Sequence, residues 1–590
     1  MTMRPSETRV HASTVIVAGA TIASVLLTLP GAHDLDRPAK SAVAALGIAF
    51  GALLAARSCK RESRESPAST DWIPLAAFAL ACVLLPLAGT RDIPVHILGS
   101  TLFCLGAALP VMLSRDPHCA RAWGVVASVC GVFVGAMILA HPVWSSVPAA
   151  VGAIGTMTNP NNAGFVAMVG ALACVGAGQH VWPGHRWRAV GWWGAAIICV
   201  AATVIAGCIT SMAALTVGMA ALLGAGQLRR VSGLGWSAAV LGLCAIPLTC
   251  ALLAEPTHPL WAATGLSGRI ALWHAAGHAL PMHWLTGYGF EQWQVPVMRG
   301  LSALAKSGAW YVMQAPQSVF CEPLQLVLEV GIPALVVFVW IVGAALHRGF
   351  SSKDPRTRAV AAAVVAMGIF GLSQPLLRNG AMLLLFWFAV AAIWRPSTET
   401  SRGRGVLLAV MWVLIALLGF VHGARLVGAV WHTAAARQSS ADLPRAYAHA
   451  RAVCGFVPEN AMALLECGQC ARRMHAPGDA LKAADRSLGL CETFPAMMLK
   501  GESLESLGED STACLWWETV HADFPHLIQP GMHLAEIALR RNDSAEAVRR
   551  LDEDVALPAR SEEQRRAKAS CAKMLERIRA VGRPASVQSP

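Results

Sequence analysis

Charge is what this chain has least of. Only 14% of its 590 residues are Asp, Glu, Lys or Arg, against 55% hydrophobic, and the mean hydropathy of +0.51 excludes an ordinary soluble globular protein. Tyrosine is also scarce, with 3 residues. The formal charge of +12 would suit nucleic acid if it gathered on one surface. It does not: from residue 430 onward Lys/Arg and Asp/Glu are near balance, and the excess lies in short loops of the apolar part. No nucleic-acid partner is expected from that distribution. A second CxxC or a Cys/His pair at zinc spacing is missing too, so no metal is expected. Of the 17 cysteines, most lie inside apolar runs, as Cys82, Cys104, Cys130, Cys174, Cys199 and Cys244 do, where Cys behaves as a small hydrophobe.

What is there instead is a series of apolar stretches. A membrane's hydrocarbon core needs roughly 20 apolar residues of helix, and about thirteen stretches qualify. They run over 11–31, 41–57, 72–89, 95–114, 122–141, 163–182, 189–208, 211–227, 233–254, 324–347, 357–374, 379–394 and 405–425. The N-terminus, with Arg4 and Arg9 before Val15 to Leu29, has the outline of a signal peptide. With so many spans behind it, an uncleaved first span is the expectation. Basic residues follow every even-numbered stretch: Arg57 and Lys60, Arg115 and Arg121, Arg186 and Arg188, Arg229 and Arg230, Arg348 and Lys353, Arg395 and Arg402. Basic loops stay in the cytoplasm. The expected topology therefore has a cytoplasmic N-terminus, a large external loop over about 255–323 and an external C-terminal domain.

Residues 1–430 thus read as a polytopic membrane domain. Residues 431–580 are charged, rich in Ala and Leu, and helical in period, with 581–590 as a disordered tail. Turn-like breaks recur at Asp479, Asp510 and Asp543, spaced 31 and then 33 residues apart, close to the period of about 34 of a tetratricopeptide repeat. Pro458, Pro495 and Pro525 fall between units. Ala480, Gly501 and Ala535 stand where paired helices approach closely. The fold class expected is all-α: a polytopic bundle followed by soluble tetratricopeptide-like repeats, whose concave face would suit a protein or glycan partner. "CGQC" (Cys467, Cys470) has no βαβ setting and reads as small core residues, with a disulfide open to it in an oxidising compartment.

Three segments at the expected outer side carry polar groups. "GTMTNPNNAGF" (Gly155–Phe165) is a helix start, with Asn159 and Asn161 around Pro160. "SGRIALWHAAGHALPMHWLTGYGF" (Ser267–Phe290) sets Arg269 and Trp273 on one helix face and, with His274, His278 and Leu285, suits a segment lying along the membrane surface. A guanidinium forms two parallel hydrogen bonds to phosphate oxygens, so Arg269 suits a diphosphate; a snorkelling interfacial arginine is the plainer reading. Gly287 and Gly289 permit a tight reversal. "VFCEPLQLVLEVGIPAL" (Val319–Leu335) carries Glu322, Gln325 and Glu329 into an apolar run, where carboxylates are costly and need a function or a partner.

In this order, "TNPNNAG", "GRIALW" with "LTGYGF", and "PLQLVLEVGIPAL" resemble the O-antigen ligase/polymerase superfamily of bacterial membrane glycosyltransferases, which includes Wzy-type polymerases and O-oligosaccharyltransferases. The resemblance covers about residues 150–390. It implies a metal-independent, cofactor-free transfer of a glycan from an undecaprenyl-diphosphate-type lipid to a hydroxyl on lipid A core, another glycan or a protein, as in lipopolysaccharide and related polysaccharide biosynthesis. It implies a bacterial inner-membrane protein with a periplasmic repeat domain. The family's loop arginine corresponds to Arg269. Its other arginine and its histidine do not match: Met212 and Phe320 stand there. The base on the acceptor then falls to Glu322, His283 or His278, and further cations to Arg299, Lys306 or Arg378. The same departures support a second reading, a non-catalytic relative that binds lipid-linked glycan or assembly partners. A transporter would place charges mid-span, and these spans are nearly free of them.

Overall fold

A computed structural model describes residues 11–26, 36–62, 73–90, 93–113, 116–144, 159–253, 267–290, 292–306, 318–394, 405–458, 460–490, 492–558 and 562–581. The first basic residues Arg4 and Arg9, the loop residues Arg115, Arg395 and Arg402, Gly155 to Thr158, much of the expected external loop, and the tail lie outside the described residues, as does the side chain of Lys306. All regular structure among the described residues is helical. The chain divides into two compact units.

The first unit comprises Met1–Leu253, Leu280–Trp293 and Ser318–Ala434. Its helices are α1 (Ala12–Leu26), α2 (Asp36–Glu62), α3 (Ile73–Leu84), α4 (Ile93–Leu113), α5 (Cys119–Trp144), α6 (Pro160–Val181), α7 (Arg186–Ile205), α8 (Ile209–Leu223), α9 (Ala225–Leu228) and α10 (Gly233–Leu253). After α11 (Ser267–His283) and α12 (Gln294–Lys306) come α13 (Glu322–Ser351), α14 (Pro355–Gly371), α15 (Gly380–Ile393) and α16 (Gly405–Gln438). The described residues of each expected apolar stretch are thus mainly helical. Among the described residues, seven helices are long and apolar enough to cross a membrane, and five apolar ones are shorter. The eleventh stretch is α14, buried along most of its length, between α6, α8, α13 and α15.

Helix starts are set by local sequence. Asn159 caps α6 by accepting from Asn161 N–H at 2.8 Å, with Pro160 in the first turn, and Asn379 caps α15 through Ala381 N–H at 3.0 Å. Small residues let neighbouring helices touch: a Cβ added to Gly131 of α5 would stand 2.5 Å from Gly170 Cα of α6. The helix ends alternate. At one end Thr210 Oγ1 lies 2.9 Å from Ser373 Oγ, and Gly380 abuts the backbone of Lys40 and Ser41. At the other, His180 Nδ1 meets Asp354 Oδ1 at 3.1 Å and Arg348 lies 4.5 Å over the Trp394 ring.

The second unit comprises Ala254–Ala279, Gln294–Gln317 and Ala435–Pro590. Its repeat part is α17 (Leu443–Phe456), α18 (Ala461–Arg473), α19 (Pro477–Leu490), α20 (Phe494–Ser506), α21 (Asp510–Asp523), α22 (Ile528–Arg540), α23 (Ser544–Ala556) and α24 (Glu562–Val581). Helix pairs start at 461, 494 and 528, a steadier period than the breaks in sequence suggest. In each turn inside a pair one residue adopts left-handed backbone: His475 (φ 55), Gly508 (φ 78) and Asn542 (φ 62), closing the first helix of the pair. Gly501 accepts the Trp517 ring, whose nearest atom would be 2.1 Å from an added Cβ. Ala480 and Ala535 are fully buried. The boundary differs from expectation. Residue 430 falls inside α16, because the apolar run passes into Thr433–Arg437, whose alanines continue the helix. The described residues 267–279 and 294–306 group with the repeats rather than with the bundle.

Candidate functional site

The chemistry of the first unit gathers where α13 breaks. Gly331 has φ 80 and ψ 169, outside helical geometry, and Pro333 follows it. An unbroken helix would bond Leu328 O to Ile332 N–H; Glu329 O would have no donor, since Pro333 lacks an N–H. The segment after α11 repairs this break. Tyr288 N–H donates to Leu328 O at 2.7 Å, Gly289 N–H to Glu329 O at 3.0 Å, and Ile332 N–H to Trp284 O at 2.8 Å. The close fit needs glycine on both sides. Gly287 has φ 72, and a Cβ there would lie 2.3 Å from Glu329 O; one on Gly331 would lie 2.2 Å from Leu285 O. "LTGYGF" and "LEVGIPAL" are therefore two halves of one backbone joint.

Beside the joint lies a buried charge cluster. Glu322 is 4% exposed, Gln325 3%, Glu329 1% and Arg378 9%. Arg378 pairs with Glu329 through Nη2, and its Nε lies 3.7 Å from Glu322 Oε1. Glu322 Oε2 accepts from Leu376 N–H at 2.9 Å and Leu377 N–H at 3.0 Å, fastening the α14–α15 turn to the start of α13. Gln325 Nε2 donates to Glu329 Oε1 at 2.7 Å, and its Oε1 accepts from Val319 N–H at 2.9 Å. The Arg378 guanidinium lies 5.2 Å over the Phe290 ring and 5.4 Å over Phe103, which ties the cluster back to the joint. Phe290 N–H donates to His96 Nδ1 at 3.1 Å, and His96 Nε2 faces Val83 O at 3.0 Å. That pair of partners requires the neutral Nε2–H tautomer.

The structure thus brings together Glu322, Gln325, Glu329 and Arg378, and sets Gly287 and Gly289 on the backbone of Glu329. His283, half-buried at the end of α11, packs its ring 4.6 Å from that of Tyr288. Asn159 is exposed and occupied as a cap, and Asn161 supplies the N–H. Phe320, where the resemblance leads one to expect a histidine, holds left-handed backbone (φ 51). Ser211 is buried, and its Oγ has no hydrogen-bond partner among the described residues. Arg269, Trp273 and Arg299 belong to the second unit. Arg269 sits half-buried in the first turn of α11, Trp273 is buried one turn on, and Arg299 is exposed on α12. Gly300 of α12 packs on Ala275 of α11. His274 and His278 stack edge to face at 4.4 Å; burial, then the charge of His278, pushes His274 below the usual histidine range.

Arg378 was among the candidate cations, but its pairing with Glu322 and Glu329 was not visible in sequence, because the α14–α15 turn reaches Glu322 from Leu376, 54 residues away. The repeats hold a second polar cluster that sequence did not signal. Glu505, His533 and Glu536 offer ligand atoms within 4.8 Å of one another. Yet Glu505 already accepts from Trp517 Nε1 at 2.8 Å and pairs with His533 Nδ1 at 2.9 Å and Arg540 Nη2 at 2.7 Å. Burial raises the Glu505 pKa, but the hydrogen bonds from His533 and Arg540 outweigh it and hold the carboxyl below its usual range. The group is a clasp between adjacent repeats.

Asp554 in α23 is 1% exposed, and neither carboxylate oxygen has a hydrogen-bond partner among the described residues. Burial, then the charge of Glu553, pushes it from 3.8 up to about 7. The folded state therefore holds this proton more tightly than the unfolded chain. The stabilisation is present at low pH and is lost as pH rises through about 7. Pulse proteolysis of the full-length protein should find α22–α24 more labile at pH 8 than at pH 6. In Asp554→Asn that difference should shrink; an unchanged difference would assign it to other groups.

No protein-family model matches the chain, and no curated protein matches it. Among solved structures it is similar to the crystal structure of yeast Tom70, at 12% identity over 71% of this chain and 97% of that one, with a TM-score of 0.19. That score is too low to carry an argument.

Proposed function

We propose that this protein is a membrane glycosyltransferase of the O-antigen ligase/polymerase type. It crosses a bacterial inner membrane about thirteen times, with the N-terminus cytoplasmic and the repeats periplasmic. It transfers or polymerises a glycan from an undecaprenyl-diphosphate-type donor onto a hydroxyl of lipid A core, a glycan or a protein. The observation that carries this reading is the joint between the Gly287–Tyr288–Gly289 turn and the break in α13. Two segments of the signature, far apart in sequence, are complementary in backbone hydrogen bonding beside a buried carboxylate–arginine cluster.

Arg269 is assigned to the donor diphosphate, where a guanidinium stabilises charge growing on the leaving group. Among the bases, His283 is favoured over Glu322, whose Oε2 already accepts two backbone N–H groups. Arg378 is engaged by Glu322 and Glu329, which supports a holding role over a diphosphate contact. The non-catalytic reading draws its support from Met212 and Phe320, and from how fully the buried cluster is internally paired. Arg269→Ala in the native host separates the two. Loss of surface glycan or glycoprotein at equal protein level is expected, and undiminished display would sink the enzymatic reading.

A further inference from the structure

The repeat unit begins with two cysteines that face each other. Cys454 lies on α17 and Cys467 on α18, each 7% exposed, in one apolar cluster with Ala450 and Leu464. The Cys454 thiol points at Ala463 O, 3.5 Å away, one helical turn before Cys467 on the same face. The two thiols influence each other's ionisation, which lowers the Cys454 pKa and raises that of Cys467. Cys470, the other half of "CGQC", is on the same helix as Cys467 and half-buried. The geometry thus favours the partner across the helix pair over the neighbour in sequence.

We propose that Cys454 and Cys467 are joined as a disulfide in the working protein, closing the first helical hairpin of the repeat unit. The proposal rests on the periplasmic placement of the repeats, because an oxidising compartment is where such bonds persist. The oxidant is a disulfide-bearing oxidoreductase. One thiolate attacks its disulfide, giving a mixed disulfide and releasing one reduced sulfur; the other thiolate displaces the second. Two thiols of this chain are oxidised, one disulfide of the donor is reduced, and their two protons go to the released thiolates. The neighbouring Cys467 thiol lowers the Cys454 pKa, so Cys454 is the first attacker. Cys454 in turn raises Cys467, which becomes a better nucleophile once Cys454 is consumed. The bond ties the start of the repeats to the helix pair that follows, where terminal units otherwise fray most readily.

The test is direct, because Cys454, Cys467 and Cys470 fall on one stretch free of Lys and Arg, Ala452–Ala471, with Glu459 and Glu466 between the first two. Cells expressing the full-length protein are quenched in acid, and free thiols are capped with N-ethylmaleimide under denaturing conditions. Digestion after Arg and Glu should then yield Cys454 and Cys467 peptides linked to each other, separable only by reductant, with maleimide on Cys470. Reduction should raise the opening equilibrium of the α17–α18 hairpin, read by hydrogen exchange, on the order of tenfold to a hundredfold, with no such change in Cys454→Ser/Cys467→Ser. Maleimide on both cysteines, or a Cys467–Cys470 link, overturns the proposal. A second arm then locates the error. If reduced full-length protein in detergent forms the 454–467 link with oxidised glutathione, the periplasmic placement is wrong; if it does not, the pairing is wrong.

Discussion

Arg378→Met is expected to leave little folded full-length protein. Arg378 is the cation set between Glu322 and Glu329, and both carboxylates are almost fully buried. Removing one partner of a buried ion pair costs about 3–5 kcal/mol, because the remaining charge is neither solvated nor compensated. That is a large share of a typical total of roughly 5–15 kcal/mol. The cluster predicts its own rescue. Glu329→Gln in the Arg378→Met background removes a carboxylate while an amide can still accept from Gln325, so the double variant should recover much of the loss. The effects should therefore be strongly non-additive. Thermal unfolding in detergent, followed by size-exclusion chromatography, reads both. Arg378→Lys distinguishes holding from substrate binding: it keeps the charge but loses the planar fork. A holding role predicts a lower unfolding temperature, whereas diphosphate binding predicts lost transfer at unchanged stability. An unfolding temperature of Arg378→Met equal to that of the parent would refute the holding role.

The second large effect is at the joint itself. Gly331→Ala places a methyl group in left-handed backbone and within 2.2 Å of Leu285 O. Left-handed strain alone costs on the order of 1–3 kcal/mol. The clash is with backbone and cannot be relieved by turning a side chain. Either the 284–289 segment leaves α13, which strands the carbonyls of Leu328 and Glu329, or α13 straightens, which strands that of Glu329 opposite Pro333. Buried backbone groups left without partners cost roughly 1–3 kcal/mol each. Gly287→Ala should behave alike, since its Cβ meets Glu329 O at 2.3 Å. Both variants should expose the 284–290 segment to protease and lower the unfolding temperature. Gly368→Ala in α14 is the control. Nothing lies within 4 Å of its added Cβ, so it should be neutral or gain up to about 1 kcal/mol from helix propensity. If all three variants behave alike, the joint is not a fastening.

The residues of the site were legible in the sequence, but their relations were not. Glu322 and Glu329 stand out because carboxylates in an apolar run demand a partner. The partner, Arg378, sits after the next helix, and no local rule selects it over Arg299 or Lys306. The glycines of "GYG" announce a turn. That the turn donates to the two carbonyls released by a break at Gly331 requires both segments in three dimensions. In the same way "CGQC" suggests a pair within one helix, whereas side-by-side packing of α17 and α18 gives Cys467 another neighbour.

By itself the sequence determined what solvation and period dictate. The scarcity of charge and the apolar runs made this an all-helical chain with membrane-length helices. The spacing of turn residues near 34 made its C-terminal part a stack of helix pairs. Tertiary structure alone decided which buried polar group meets which, where α13 breaks and what mends it, and that the expected domain boundary lies inside one continuous helix. The physical reason is the range of the forces. Hydropathy and helix propensity act over one or two turns and are written locally. A buried charge or an orphaned carbonyl is satisfied by whatever the fold brings to it, and that partner can stand anywhere in the chain.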